Sequence, residues 1–202
     1  MRRPRVQEGL RHFEQSITQL DDGRLVCTAW EFHEEAGESR PNPCATLAPG
    51  GEQFSAPALS GLNGETCKLI ALDGDRVLAL YRRTDAAGLW GAVVSVGDDP
   101  AQPWTLLAHE LLCAQHHREP SASAPLLPFD ELLSVVAGAC PGQGSAANTV
   151  GGEGSDGTVD TLSQLKFGYP TMVALENGEI LCSFWCFEDD VYCIRYLRLA
   201  VN

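Results

Sequence analysis

A pattern of apolar strand, acidic turn and apolar strand occurs three times along this chain. The three copies read SITQLDDGRLVCTAW, CKLIALDGDRVLALY and PTMVALENGEILCSFW. In each copy an Asp-Gly or Asn-Gly pair separates two runs rich in Val, Leu, Ile and aromatic residues, which is the strongest short-range signal for a β-hairpin. Each copy therefore predicts one antiparallel hairpin of a larger sheet.

The spacing of the copies indicates a repeat protein. The turn glycines are Gly23, Gly74 and Gly178, so that the second interval is close to twice the first. A repeat of about 50 residues is the size of a four-stranded β-propeller blade. The sequence thus predicts an all-β fold, a partial β-propeller with three to four blades of four antiparallel strands.

This period divides the chain into blade-like units at about residues 13–60, 61–112 and 165–202. We expect the units to belong to a single partial propeller domain over residues 1–202. Propellers usually close with more blades, and open sheet edges invite pairing. A longer propeller, or self-association through the open blade edges, is therefore expected. The segment at about 113–164 is predicted to be an irregular or helical insertion.

The segment from Ser123 to Gly138, SAPLLPFDELLSVVAG, lies halfway between the second and third copies. It fits a hidden hairpin whose turn would be Phe129-Asp130-Glu131. It also fits an amphipathic helix within the insertion. We expect the helix, because Leu132 to Ala137 contains no turn glycine.

The charge of the chain narrows the class of partner. The formal net charge is −13 and the isoelectric point is about 4.7. Nucleic acids and anionic membranes both require a basic face, so neither is expected as a partner. The sequence also lacks a run of 18 apolar residues, and the basic start at Met1 is not followed by the apolar core of a signal peptide. The expected partner is a carbohydrate, another small molecule or a protein.

The positions of the eight cysteines and five histidines indicate neither a metal site nor a disulfide framework. Cys27 and Cys182 occupy the same place in two hairpins, where a small buried hydrophobe is the better explanation, and a reducing, cytoplasmic compartment is favoured. The spacing of His109, Cys113 and His116-His117 fits no established metal site. No metal and no other cofactor is expected.

Two segments, LYRRTDAAGLWGAVVSV and LKFGYPTMVALENGEILCSFWCFEDDVYCIRYLRL, resemble the sialidase-like (neuraminidase) family of BNR-repeat β-propellers. Members of that family carry the Asp-box, a Ser-x-Asp-x-Gly-x-Thr-Trp turn. Degenerate copies of this motif occur here at Pro49 to Ser55 and at Ser95 to Asp99. The second copy is followed by Trp104-Thr105. The resemblance implies a glycoside hydrolase that acts on a sialylated or other anionic glycan in a central propeller pocket.

The same resemblance implies a set of site residues. Its nucleophile would be Tyr169, within Gly168-Tyr169-Pro170. A phenol with a pKa near 10 needs a carboxylate that accepts its proton, and Glu65 matches that place. Arg82 or Arg83 would bind the substrate carboxylate, since a planar guanidinium can hold it bidentately. The sequence leaves the choice between the two arginines open.

A second interpretation is a non-catalytic propeller that binds a glycan or a protein. The acid aspartate and the first arginine of the family have no counterpart before Phe13, and Arg118 is the only arginine between Arg83 and Tyr169. In this interpretation Tyr169 packs in a hairpin, Glu65 is a loop residue and the arginines pair with surface acids. The aromatic residues of the strands would form either a sugar-stacking platform or core, and they are Trp30, Trp90, Trp185 and Phe187.

Overall fold

The computed structural model describes residues 9–83, 85–86, 88–114, 133–137, 167–188 and 191–201. These residues form three antiparallel sheets, and no helix occurs among them. It follows that no helix in the described part of the chain could cross a bilayer. The prediction of an all-β fold is confirmed.

The first sheet lies in the N-terminal part of the chain. Its five strands are β1 (Leu10–Gln19), β2 (Leu25–His33), β3 (Glu38–Arg40), β4 (Pro43–Leu47) and β5 (Ala58–Leu59). Their order is β1-β2-β4-β5, and β3 pairs with β2. The first predicted hairpin supplies β1 and β2 of this sheet.

The second and third sheets have four strands each. The second consists of β6 (Glu65–Ala71), β7 (Arg76–Arg83), β8 (Gly88–Ser95) and β9 (Thr105–Ala114), in that order. The third consists of β10 (Leu133–Ala137), β11 (Phe167–Ala174), β12 (Glu179–Glu188) and β13 (Val191–Val201). Its order is β10-β13-β12-β11, so that the third predicted hairpin is β11 and β12.

The helix predicted around Leu132 to Ala137 is wrong over Leu133–Ala137, which is strand β10. This strand pairs antiparallel with β13, from Leu133 opposite Val201 to Ala137 opposite Leu197. The open side of β13 offers backbone partners to a Val-rich segment, and this tertiary context outweighs the local pattern. The turn proposed at residues 129–131 lies outside the described residues.

The chain divides into two compact units, Met1–Cys113 and Ala114–Asn202. In the first unit, six consecutive residues of β7 are buried because its sheet is covered on both faces. The side chains of Val26, Cys67 and Val77 belong to the same apolar core. In the second unit Cys182 is fully buried, as expected of a small core hydrophobe, whereas Cys27 in the first unit is half-buried.

Within the first unit, the two strands β1 and β6 lie side by side. Ser16 Oγ accepts a hydrogen bond of 2.9 Å from the backbone N–H of Leu69, and Thr18 Oγ1 accepts one of 2.9 Å from that of Ala71. Side-chain hydroxyls of β1 thus satisfy the edge N–H groups of β6, which would otherwise be open to pairing.

The three hairpins close with loops of the same length. In Leu20–Arg24, Leu72–Arg76 and Leu175–Glu179, the N–H of the first residue binds the carbonyl of the last at 2.9, 2.9 and 2.7 Å. Gly23 and Gly178 have φ values of 86° and 81°, a region that favours glycine. The repeated acidic-glycine motif therefore encodes a loop of one length, and in the first and third loops the glycine N–H also donates to the leucine carbonyl at 3.0 Å.

Candidate functional site

In each hairpin, the pairing of the first strand with the second is irregular at the same distance from the turn. The pairing of β1 with β2 shifts after Phe13, that of β6 with β7 shifts after Glu65, and that of β11 with β12 shifts after Gly168. Such a β-bulge sets two residues opposite one and re-aims side chains, and bulges are frequent next to active sites. The start of each first strand is therefore a candidate functional position.

The residue that follows each shift has an unusual backbone. The described non-glycine residues with positive φ are Glu14 at 49°, Thr66 at 54° and Tyr169 at 50°. A non-glycine residue held there costs about 1–3 kcal/mol, and such strain concentrates at functional sites. Thr66 is the most unusual of the three residues, because a β-branched residue rarely adopts a positive φ.

This alignment separates Glu65 from the position of Tyr169. The residues equivalent to Tyr169 are Thr66 in β6 and Glu14 in β1, whereas Glu65 is equivalent to Gly168. Sequence reasoning missed Glu14 and Thr66. A signal was present, since each bulge residue stands six positions before the leucine that begins its turn.

Glu65 and Arg82 form a buried ion pair, with exposed fractions of 8% and 4%. Arg82 Nε and Nη2 both donate to Glu65 Oε2, at 3.0 and 2.5 Å. Glu65 Oε1 accepts a hydrogen bond of 2.8 Å from Ser39 Oγ, which itself accepts one of 3.0 Å from Trp30 Nε1. The pair thus joins β6 and β7 of the second sheet to β2 and β3 of the first.

Arg83, the next residue on β7, has different partners. Its Nε and Nη2 donate to the two carboxylate oxygens of Asp85 at 3.0 and 2.7 Å, and its guanidinium lies 4.8 Å from the ring centre of Trp90. Successive strand residues point to opposite faces. Of the two candidate arginines, Arg82 is therefore the one beside Glu65.

Glu14 adds a second carboxyl to this region. It is half-buried, and its Oε2 atom is buried with no hydrogen-bond partner among the residues that the structure describes. Burial raises the pKa of the Glu14 carboxyl and Glu65 adds to this, while Arg82 and Lys68 oppose it. Two carboxyls and two cations in one region can divide the roles of proton carrier and anion partner.

Gly64 allows Glu65 to take its position. A Cβ at residue 64 would lie 2.2 Å from Tyr81 Cδ2 and 2.8 Å from the carbonyl oxygen of Arg82. Side-chain atoms do not approach backbone so closely, so only glycine fits there without a shift of β7. The Asn63-Gly64 step is thus a close strand contact that seats Glu65 opposite Arg82.

Tyr169 belongs to the second compact unit, whereas Glu65, Arg82 and Arg83 belong to the first. Its side chain is 46% exposed, between the buried residues Gly168 and Pro170. The bulge therefore presents this phenol to solvent although both of its neighbours are buried. Within the second unit, Tyr169 is thus a partly exposed residue of the bulge.

In the first unit, the rings of Trp30 and Trp90 pack against other side chains. The ring of Trp90 lies 4.7 Å from His109 and carries Arg83 on it, and the ring of Trp30 packs against Phe13 at 5.1 Å. These contacts favour the core interpretation over a sugar platform. The side chain of Phe187 lies outside the described residues.

His109 contacts aromatic side chains and does not belong to a cluster of metal-binding side chains among the described residues. Its Nε2 lies 2.7 Å from the hydroxyl of Tyr81 in a hydrogen bond, and burial lowers its pKa. No group of three or more His, Cys, Asp or Glu side chains suited to a metal occurs in the described ranges. His116 and His117 lie outside those ranges.

Comparisons with known proteins bear on the fold alone. The sequence matches no family model and no curated protein. It is similar in structure to a protein of unknown function from Dyadobacter fermentans DSM 18053, with a TM-score of 0.57 and 18% sequence identity. The match covers 98% of this chain and 40% of that one. This chain thus spans less than half the length of the protein that it resembles in structure.

Proposed function

We propose that this protein is a sialidase-like glycoside hydrolase that acts on an anionic glycan. The observation that carries the proposal is the repeated bulge, which gives Glu14, Thr66 and Tyr169 the same strained backbone. The residue that the family resemblance assigns as nucleophile is thus one of three that share this position. In this proposal, the substrate binds at the end of a sheet where the first strand of its hairpin begins.

A partial β-propeller is the proposed architecture. It is supported by three sheets that each contain a copy of the same hairpin and by the lateral approach of β1 to β6 within the first unit. Propellers are built by radial repetition of such sheets. The longer chain of the Dyadobacter relative is consistent with further sheets of this kind.

The proposed roles follow from exposure and charge. Tyr169 is the nucleophile that the family resemblance implies, and this residue is partly exposed. Arg82 and Lys68 supply positive charge for the anionic group of the glycan. Arg82 Nε and Nη2 are already bound by Glu65, so Arg82 acts through its charge and not as a bidentate clamp on the substrate through these two atoms.

The test is hydrolysis of a fluorogenic sialoside by folded protein, beside a panel of neutral glycosides. Tyr169→Phe should reduce turnover to background because it removes the nucleophilic oxygen. Tyr196→Phe, in β13 of the same sheet, is the matched control and should retain turnover. No turnover by the wild type, or full turnover by Tyr169→Phe, would contradict the proposal.

The second candidate is a non-catalytic module that binds a glycan or a protein. It is favoured by the Glu65–Arg82 pair, in which Ser39 and two guanidinium nitrogens satisfy the carboxylate without any ligand. Binding of a sialoside without turnover would select this function. In that case Tyr169→Phe should leave the affinity nearly unchanged.

A further inference from the structure

The first sheet packs on the second with one of its two faces. Successive strand residues point to opposite faces, and Val26 and Thr28 of β2 are buried on the packed face. Ser16 and Thr18 lie opposite them in β1 and accept hydrogen bonds from the edge of β6. This packing of one sheet on the next, within one compact unit, is the pattern that the inference extends.

The other face of the first sheet is open and apolar. Ile17 of β1 is 55% exposed, and Cys27, which lies opposite it in β2, is half-buried. Five positions of this open face correspond by register to five positions of the second sheet that share one core with Val26. They are Ile17, Leu25, Cys27, Ala45 and Leu47 in the first sheet, and Leu69, Val77, Ala79, Ala92 and Val94 in the second. All ten residues are apolar, so the first sheet repeats on its open face the surface on which its other face packs.

The third sheet has the opposite face open. Thr171 and Val173 of β11 stand four and two places before the leucine of the turn, as do the two β1 residues that bind β6. Both are exposed, and Val173 is 51% exposed. Leu181 and Ser183, which lie opposite them in β12, are only partly buried. The face that the first sheet uses for packing is therefore open in the third sheet.

The charge of these two faces is compatible with contact between copies. The chain has a formal net charge of −13, so two copies repel each other in general. The five positions of the open face in the first sheet carry no charge. On the open face of the third sheet, Arg198 lies opposite Leu181 and forms an ion pair with Glu179. Neither face therefore adds net charge to the repulsion.

We propose that the open face of the third sheet in one copy packs on the open face of the first sheet in a second copy. The Thr171 hydroxyl accepts a hydrogen bond from the N–H of Ile17, which points away from β2 as the N–H of Leu69 points away from β7. Val173 and Leu181 cover the aliphatic side chains around Ile17. One chain carries both halves of this contact, and the inference does not depend on the proposed hydrolase activity.

The experiment measures the mass of the protein in solution by sedimentation equilibrium over a range of concentrations. The wild type should reach at least twice the 21.8 kDa of one chain. Ile17→Asp and Val173→Lys should each weaken self-association by at least about tenfold, because each places a charge within an apolar contact. Leu106→Asp is the matched control, since Leu106 is 52% exposed and lies in the second sheet. It should associate as the wild type does.

A mixture of the two single variants tests which faces meet. The Ile17→Asp copy keeps an intact third sheet and the Val173→Lys copy keeps an intact first sheet, so the mixture should associate more tightly than either variant alone. This gain also shows that both variants are folded. A mixture without the gain would overturn the inference, as would association that survives Val173→Lys, because the first sheets would then pack on each other.

Two further results would overturn the inference. One is a wild-type protein that stays at the mass of one chain at every concentration. The other is a Leu106→Asp variant that loses association as strongly as Ile17→Asp, since the contact would then not be specific to the two open faces. Hydrolysis of a sialoside by a protein that remains a monomer would leave the proposed function standing without this contact.

Discussion

The strands β1 and β6 share a backbone and differ in the side chains that it carries. Both contain the same bulge, a bulge residue with φ near 50° and a hairpin loop of the same length. In β1 the bulge follows Phe13, which is 42% exposed, and carries the half-buried Glu14; in β6 it follows Glu65 and carries Thr66, both of them buried. One scaffold thus carries a half-buried carboxyl in one sheet and a buried ion pair in the other.

The bulges of β1 and β6 therefore have different roles in the first unit. The Glu65–Arg82 pair and its link to Ser39 hold the second sheet against the first, as an interior element of the unit. Glu14 lies at the edge of the same charged region, with an oxygen that has no described partner. The buried bulge therefore holds the ion pair that joins the two sheets, and the half-buried one carries a carboxyl oxygen without a described partner.

The largest effect is expected from breaking the ion pair in β6. Arg82→Ala leaves Glu65 buried without its cation and should lower the free energy of unfolding by about 3–5 kcal/mol. Arg83→Ala is the matched control, because Arg83 pairs with Asp85 near the surface, and should lower it by no more than about 1 kcal/mol. Urea unfolding measures both, and equal losses would contradict the assignment of Arg82 as the buried partner.

The next effect concerns the close contact beside Glu65. Gly64→Ala places a methyl group against Tyr81 and the Arg82 carbonyl, so the start of β6 must move away from β7. Overpacking of this kind should reduce the free energy of unfolding by about 1–3 kcal/mol. Thermal unfolding provides the measurement. A neutral Gly64→Ala variant would mean that the two strands approach less closely than described.

A smaller effect, of opposite sign, is expected in β1. Glu14→Gly should raise the free energy of unfolding by about 0.5–1 kcal/mol, because glycine accepts the positive φ without strain. Gln15→Gly, at the exposed neighbouring residue with ordinary φ, should lower it by about 0.5–1 kcal/mol. Losses in both variants on denaturant titration would exclude strain at Glu14.

The smallest effect is a pH dependence that distinguishes the bulge of β1 from that of β6. Burial raises the pKa of Glu14, so the folded state holds a proton that the unfolded state releases, and folding gains stability as pH falls through this pKa. Glu14→Gln removes this gain. The variant should be more stable than the wild type at pH 7, with a difference that shrinks toward pH 4. A difference that grows on acidification would contradict the raised pKa.

The sequence predicted the hairpins well because turn chemistry is local. Gly23 and Gly178 mark loops that require positive φ, and the alternating apolar runs beside them specify the strands. The segment Leu133–Ala137 was predicted as a helix, with a hairpin strand as the alternative, because its identity depends on the free side of β13, a partner distant in sequence. Short apolar runs leave helix and strand undecided until such a partner is known.

The candidate site was harder to predict, since its signals depend on register. Arg82 and Arg83 are chemically equal in the sequence, and only the pairing of Glu65 with Arg82 across β6 and β7 distinguishes them. The bulge residues gave no compositional signal, because Glu14 and Thr66 are not the residues that a positive φ normally selects. Their constant distance of six residues from the turn leucine aligns the three positions, but the backbone strain itself is visible only in the folded chain.

The measurement that tests the proposed site most directly is hydrogen–deuterium exchange with and without the methyl α-glycoside of N-acetylneuraminic acid. Slower exchange should appear at a bulged strand start, which is that of β11 around Tyr169 in the second unit or those of β1 and β6 around Glu14 and Thr66 in the first. The loops Leu20–Arg24 and Leu72–Arg76, at the other ends of their strands, should be unaffected. Protection confined to those loops, or no protection at saturating ligand, would contradict a glycan site at the bulges.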